Sequence, residues 1–259
     1  KVFITLFEKG LEFDEVNLDL FKNEQYNPEY LKINPKGVVP SLDHDGEIIV
    51  ESTLICEYLD DIYPSPPLRP QSASGRAHMR VWSKYIDEGI FEAAREISFS
   101  AMFRQKMKDM TEDQRQSRFH NVGNPDRTAR YKSAFAEGVN SPYVFQAIGH
   151  YEKLFKSLEA TLSEHGGPWV LGDTYSLADI NLMPFVARLN YLTLLDLWID
   201  ARSSVKQWWL RVQDLESFNS MVPGRLLEDD VANMAKYGGA IRDEVGAKRR
   251  KYLDTYDLH

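Results

Sequence analysis

One stretch, Leu31–Pro64 (LKINPKGVVPSLDHDGEIIVESTLICEYLDDIYP), limits what this chain can fold into more than any other. Asn34-Pro35 and Lys36-Gly37 are turn formers, the first by a fixed φ and the second by tolerance of positive φ. Pro40 has no N–H to give to a ladder, so it belongs at the first residue of a strand. Asp45-Gly46, between Ser41–His44 and Glu47–Val50, predicts a tight hairpin. Glu51-Ser52 then opens a helix with Leu54, Ile55, Tyr58, Leu59 and Ile62 in one stripe at helical period, and Pro64 ends it. Asp60 and Asp61 fall late in that helix, where the macrodipole slightly disfavours them. This order can make a receptor for an anionic, peptide-like ligand. A cis Val39-Pro40 bond would turn the Val39 N–H and C=O outward, to pair with a peptide as an added strand does. Glu51-Ser52, at a helix N-terminus with Ser as a preferred cap, would favour a carboxylate. The same residues equally suit a plain hairpin followed by a capped helix.

The rest of the chain divides around a rigid linker, Pro64–Pro70 (PSPPLRP). Residues 1–63 mix helix and strand signals, 64–73 are linker, 74–224 read as helical throughout, and 225–259 form a charged tail. Lys1–Lys9 predicts a helix stopped by Gly10, and Phe13, Val16, Leu18 and Leu20 predict a strand or extended run. Beyond the linker, Met79, Trp82, Tyr85, Ile86 and Phe91 recur at helical spacing. Residues 104–142 are polar and rich in interleaved charges, with breaks at Gly123-Asn124-Pro125 and Ser141-Pro142, and read as a solvated helical insertion. Val144–Ser163, Ile180–Leu197 and Ser203–Leu215 predict further helices, the last with Trp208-Trp209 in the core. Ser176 and Asp179 form a capping-box variant with a folding role rather than a catalytic one. In the tail, Gly238-Gly239 predicts a break between two short helices, with Tyr252 or Tyr256 carried back over a substrate.

Composition excludes several classes. The net charge of −8 argues against a nucleic-acid partner, which needs clustered cations. One cysteine excludes an internal disulfide and any cysteine-based zinc cluster, and fits a reducing cytoplasm. Cys56, in an amphipathic helix with no cation beside it, reads as buried and inert. The six histidines show no ligand spacing, so no metal site is expected. No apolar run approaches the roughly 18–20 residues of a membrane span.

NPKGVVP, followed after the Asp-Gly turn by ESTLICEYLDDIYP, resembles the glutathione-binding half of the cytosolic glutathione transferase superfamily. The resemblance implies α/β plus all-α architecture: an N-terminal thioredoxin-like domain and a C-terminal helical bundle. It implies that Val39 supplies the backbone pair to the cysteinyl unit of glutathione and that Pro40 is the cis proline. Glu51 and Ser52 would hold the γ-glutamyl end, with Lys36 and Gln25 near the glycine carboxylate. Some relatives carry a Gln or Thr before the residue that precedes this proline, where this chain has Val38. The family's first strand should lie upstream of Lys1, between the strand expected at Glu15–Leu18 and the one at Ser41–Asp43. That implies about a dozen further residues, since a strand of ~5–6 residues plus a loop is the minimum. The thiol-activating residue, a Ser, Cys or Tyr in relatives, is expected just before Lys1, so no catalytic residue is named.

Within the superfamily, FITLFEKGLEF, ESTLICEYLDDIYP and the long insertion resemble the bacterial glutathione-dependent β-etherases of lignin degradation. By that resemblance glutathione is the co-substrate, an aromatic small molecule is the partner, and the protein is a cytoplasmic homodimer. Glutathione thiolate would attack the carbon that bears an aryloxy group and release a phenol. Phe91, Phe99, Met102 and Phe103 are candidate walls of the aromatic pocket, or equally core. Dehalogenation or general conjugation is the nearest alternative activity, and a non-catalytic binding module is the alternative of another class.

Overall fold

The computed structural model describes residues 1–20, 22–121 and 124–256. Gly123, named above as part of a chain break, and His259, one of the six histidines, lie outside them. The chain opens with α1 (Val2–Glu8), closed by Gly10 at φ 63°. α2 (Pro28–Ile33) starts on an Asn27 cap whose side chain accepts from the Glu29 N–H. Strands β1 (Ser41–His44) and β2 (Glu47–Val50) pair antiparallel, with Ser41 opposite Val50 and His44 opposite Glu47. Asp45 (φ 55°) and Gly46 (φ 87°) both take positive φ, the primed-turn geometry that suits a two-residue hairpin. α3 (Ser52–Ile62) then packs Ile55 and Leu59 against Leu6 of α1. Burying such an aliphatic side chain contributes ~1.5–3 kcal/mol.

Three expectations for this half need correction. No strand forms at Glu15–Leu18: residues 11–19 belong to no helix or ladder, and the sheet among the described residues has two strands. Strand propensity makes a strand only where another strand lies beside it, and none of the described residues forms one beside 11–19. Leu54 is 57% exposed and stands off the buried stripe of α3. Asp60, unfavourable at a helix C-terminus in isolation, is buried as a hub. It accepts from Lys9 Nζ (2.5 Å), the Leu68 N–H (2.8 Å) and Arg69 Nε (2.6 Å), tying α1, α3 and the linker together. Those cations and the N–H outweigh the weak dipole term.

The second half is helical. α4 (Ala73–Tyr85), α5 (Phe91–Ser98) and α6 (Arg104–Lys108) form one continuous run, interrupted by π-turns at Ile86–Ile90 and Phe99–Phe103. α7 (Glu112–Asn121) and α8 (Pro125–Glu137) make up the insertion. It is more than a solvated arm: Phe99, Met107, Phe119 and Ala134 form a small core of its own. Then come α9 (Pro142–His165), α10 (Leu177–Tyr191), α11 (Asp196–Ile199), α12 (Ser203–Asp214) and α13 (Glu216–Met221). Their main core gathers Met79, Trp82, Ile148, Tyr151, Phe155, Ile180, Trp208 and Trp209. No helix among the described residues is long and apolar enough to cross a membrane.

The tail is one helix, α14 (Glu228–Tyr256), not two. The glycine pair does not break it, because Gly238 lets the helix touch the chain at Leu192: a Cβ there would sit 2.0 Å from the Leu192 carbonyl oxygen. Further along, Arg249 donates to buried Glu152 (2.7 Å), which also pairs with Arg202. Tyr252 is 7% exposed, packed against Phe145 and Gly149 of α9, so it is core rather than a cover for substrate.

Candidate active site

The site is built by the turn that precedes β1. Gly37 takes φ 58°, and the Tyr26 ring lies where a side chain would project, so this position needs glycine twice over. The next carbonyl, Val38 C=O, is turned inward and accepts from Tyr30 O–H (2.7 Å) and Asn34 Nδ2 (2.8 Å). Tyr30 also bonds Ser41 Oγ at 2.9 Å. α2 and its C-cap thus clamp the approach to the proline. Val39-Pro40 is cis. The Val39 side chain is 43% exposed, and its N–H and C=O make no hydrogen bond to another described residue. Unpaired main-chain groups beside the start of a sheet can receive an extended peptide.

Glu51 closes the other side. It is the N-cap of α3 and takes φ 69°, a conformation that costs free energy in a non-glycine residue and clusters at functional sites. Ser52, read as a cap, is instead the first helical residue, and Glu51 makes no side-chain cap. The Glu51 carboxylate leans away to Lys36 Nζ at 2.5 Å. Both side chains are solvent-accessible, so this pair is weak and exchangeable. A ligand with an ammonium and a carboxylate can replace each partner. Gln25 is buried, its Oε1 without a partner among the described residues, in the short turn that also carries Tyr26. At this face Lys36 pairs with Glu51, next to Ser52 at the start of α3, the main chain of Val39 beside cis Pro40 is open, and Gln25 is buried.

The second domain meets this face through Asp87, in the first π-turn, which accepts from Thr53 Oγ1 at 3.0 Å. π-turns concentrate at functional sites. One turn on, Phe91 is 42% exposed, whereas Phe99 and Met102 are buried; Phe99 stacks on Tyr131 at 4.7 Å. Of the aromatic wall candidates, Phe91 is the open one. Cys56 is fully buried, and burial pushes its thiol above the ordinary value, so it is no nucleophile. Sequence reasoning missed the Lys36–Glu51 pair and the Tyr30–Asn34 clamp. Both arise from tertiary contacts that carry no local pattern.

A small α/β unit with open main chain beside a cis proline, joined to a helical domain, is the two-domain arrangement that the sequence resemblance implies. The N-terminal domain model of glutathione S-transferases matches residues 1–67, and the C-terminal domain model matches residues 125–209. Protein LigF of Sphingobium sp. (strain NBRC 103272 / SYK-6) is 36% identical over 183 residues, covering 70% of each chain. A zeta-class glutathione S-transferase of Euphorbia esula is 31% identical, covering 71% of this chain and 68% of its own. The crystal structure of the beta-etherase LigF from Sphingobium sp. strain SYK-6 superposes with a TM-score of 0.74 at 30% identity, covering 86% of this chain and 93% of that one. The chain belongs to the glutathione S-transferase family, whose co-substrate is glutathione.

Proposed function

We propose that the protein uses glutathione thiolate to cleave a β-aryl ether of a lignin-derived aromatic compound. The observation that carries the reading is the similarity to LigF in sequence and structure, together with an open, unpaired Val39 main chain. In this reaction the sulfur attacks the carbon that bears the aryloxy group. The C–O bond breaks, the phenolate leaves and takes a proton, and a glutathione thioether remains. The cysteinyl main chain of glutathione pairs with Val39, and its γ-glutamyl head replaces Lys36 at Glu51 and the start of α3. The gain is positional: a thiolate and an electrophile held at reacting distance in a cleft that excludes bulk water. Phe91 offers an apolar surface to the aromatic ring. The protein acts as a homodimer in the cytoplasm.

The test is release of nitrophenolate from a nitrophenyl β-aryl ether in the presence of glutathione, with the thioether identified by mass. Tight glutathione binding without phenol release from a panel of ethers would overturn ether cleavage. The similarity to the zeta-class glutathione S-transferase supports general conjugation as the second reading, read out as turnover of aryl or alkyl halides instead. Glu51→Gln is expected to weaken glutathione roughly 10- to 100-fold by removing a charged acceptor. Calorimetric titration checks it, and an unchanged Kd would detach Glu51 from the site.

A further inference from the structure

A groove of about 990 Å³ opens beside Lys36, between the 22–36 segment and the insertion. One wall carries Lys22, Tyr26 and Lys36, and the other carries His120 and Arg127 from α7 and α8. Arg127 Nε is buried and has no hydrogen-bond partner among the described residues. One turn along α8, Tyr131 receives the Arg95 guanidinium over its ring at 5.3 Å, and Arg95 Nε is likewise buried and unpartnered. A buried guanidinium Nε without a partner is an open donor that an anion can satisfy. The acidic side chains near Arg95 lie off the groove lining: Glu92 pairs with Arg95, Asp126 pairs with Arg130, and buried Glu96 sits beside Arg95 and 4.0 Å from Arg130. In the groove itself, Glu24 accepts from the Asp19 N–H, Lys22 lies 3.5 Å from Asp19, and Lys36 is held by exposed Glu51 alone. The groove therefore presents a net positive, partly dry wall.

We propose that Arg127, backed by Arg95 and facing Lys36, forms an anion subsite for a carboxylate at the mouth of the cleft. The carboxylate belongs either to an acidic aromatic substrate or to the glycine end of glutathione, and the latter source rests on the function proposed above. A guanidinium reads a carboxylate through paired N–H donors, which sets where the bound molecule lies relative to Val39. The insertion thereby acts as more than a spacer, since it contributes the arm of the site that the α/β unit lacks.

Calorimetric titration of the full chain decides it, with two matched pairs of probes: phenoxyacetate against its methyl ester, and glutathione against its glycine ethyl ester. In the native protein at least one acid is expected to bind roughly 10- to 100-fold more tightly than its ester. Arg127→Gln brings that ratio close to one, and Arg127→Lys restores part of it. The Asn124 cap bonds the main-chain N–H of residue 127, so the substitution leaves the helix start intact. The pair that responds identifies the source. Acid-to-ester ratios near one for both pairs in the native protein, or ratios that Arg127→Gln leaves unchanged, would overturn the subsite. Failure of the native protein to bind glutathione would sink the proposed function instead, while the phenoxyacetate pair still decides the subsite.

Discussion

Asp179→Ala is expected to lower the unfolding free energy by about 3–5 kcal/mol, because it strips the acceptor from four buried donors. Asp179 is fully buried at the third residue of α10. It accepts from the Val170 N–H (2.9 Å), the Trp208 indole N–H (2.9 Å), and both the N–H and the hydroxyl of Ser176 (3.1 and 3.2 Å). Ser176 in turn receives the Ala178 N–H, so a reciprocal capping box sits inside the core. The carboxylate joins the 170–176 loop, α10 and α12, and its loss loosens all three together. In a chain of this size each kcal/mol shifts Tm by roughly 2–4 °C. Asp179→Asn keeps one acceptor oxygen and should recover part of the loss. The pH dependence has a definite sign. Burial, the dominant cause, pushes the Asp179 carboxyl from its ordinary 3.8 up to about 6 against the pull of its four donors. Between those values the folded chain binds a proton that the unfolded chain does not. The contribution is therefore fully present below about pH 4 and is lost as pH rises towards 6, by at most ~1.4 kcal/mol per unit. Denaturant unfolding at pH 4.5 and 6.5 should show this slope in the native protein and not in Asp179→Ala. A substitution that costs under 1 kcal/mol at both pH values would remove the box from the list of core determinants.

Much of the fold and part of the site were legible in the sequence, and the line between read and unread is physical. The Asp45-Gly46 hairpin, α3 and the Ser176 box were readable because each is fixed by neighbours in sequence: a turn dipeptide, a 3.6-residue stripe, a cap three residues from its partner. For Val39 and Glu51 the Leu31–Pro64 stretch carries a local signal, a residue before a strand-opening proline and one at a helix start, whereas Lys36 enters the site only through the family resemblance. What escaped was decided by distant partners. Whether 15–18 forms a strand depends on the backbone beside it. Asp60 is disfavoured by its own helix and rescued by Lys9, 51 residues away. The cations of the insertion read as a solvated surface because their spacing says nothing of Tyr26, Lys36 or the groove they overlook. Glu51 as a strained N-cap has no signature in its dipeptide.

Gly238→Ala should destabilise the protein by about 2–3 kcal/mol and free the tail, while Gly239→Ala, one residue on, should stabilise it by ~0.5–1 kcal/mol. The two glycines differ only in what faces them. At 238 a methyl group would lie 2.0 Å from the Leu192 carbonyl oxygen and 2.7 Å from its carbon and Cα, all of it backbone. Relief needs α14 to back away by ~1 Å or more, since contacts under 3.0 Å do not persist. That movement is resisted on the same side. Four residues on, Arg242 bonds Asp196 Oδ1 at 2.6 Å and also pairs with the Thr193 carbonyl, while Arg249 holds Glu152 further along. Displacing the helix would pull on buried Glu152 and on Tyr252, whose ring occupies the space left by Gly149. At 239 the nearest atom to a new methyl is Thr193 Oγ1 at 3.6 Å, an ordinary contact, so only the entropy gained from replacing glycine in a helix remains. Limited proteolysis and denaturant unfolding of the two variants side by side separate the readings. Opposite signs mean that the tail helix is seated on the α10 turn through residue 238, and equal stabilisation by both would mean that the helix rides free of Leu192.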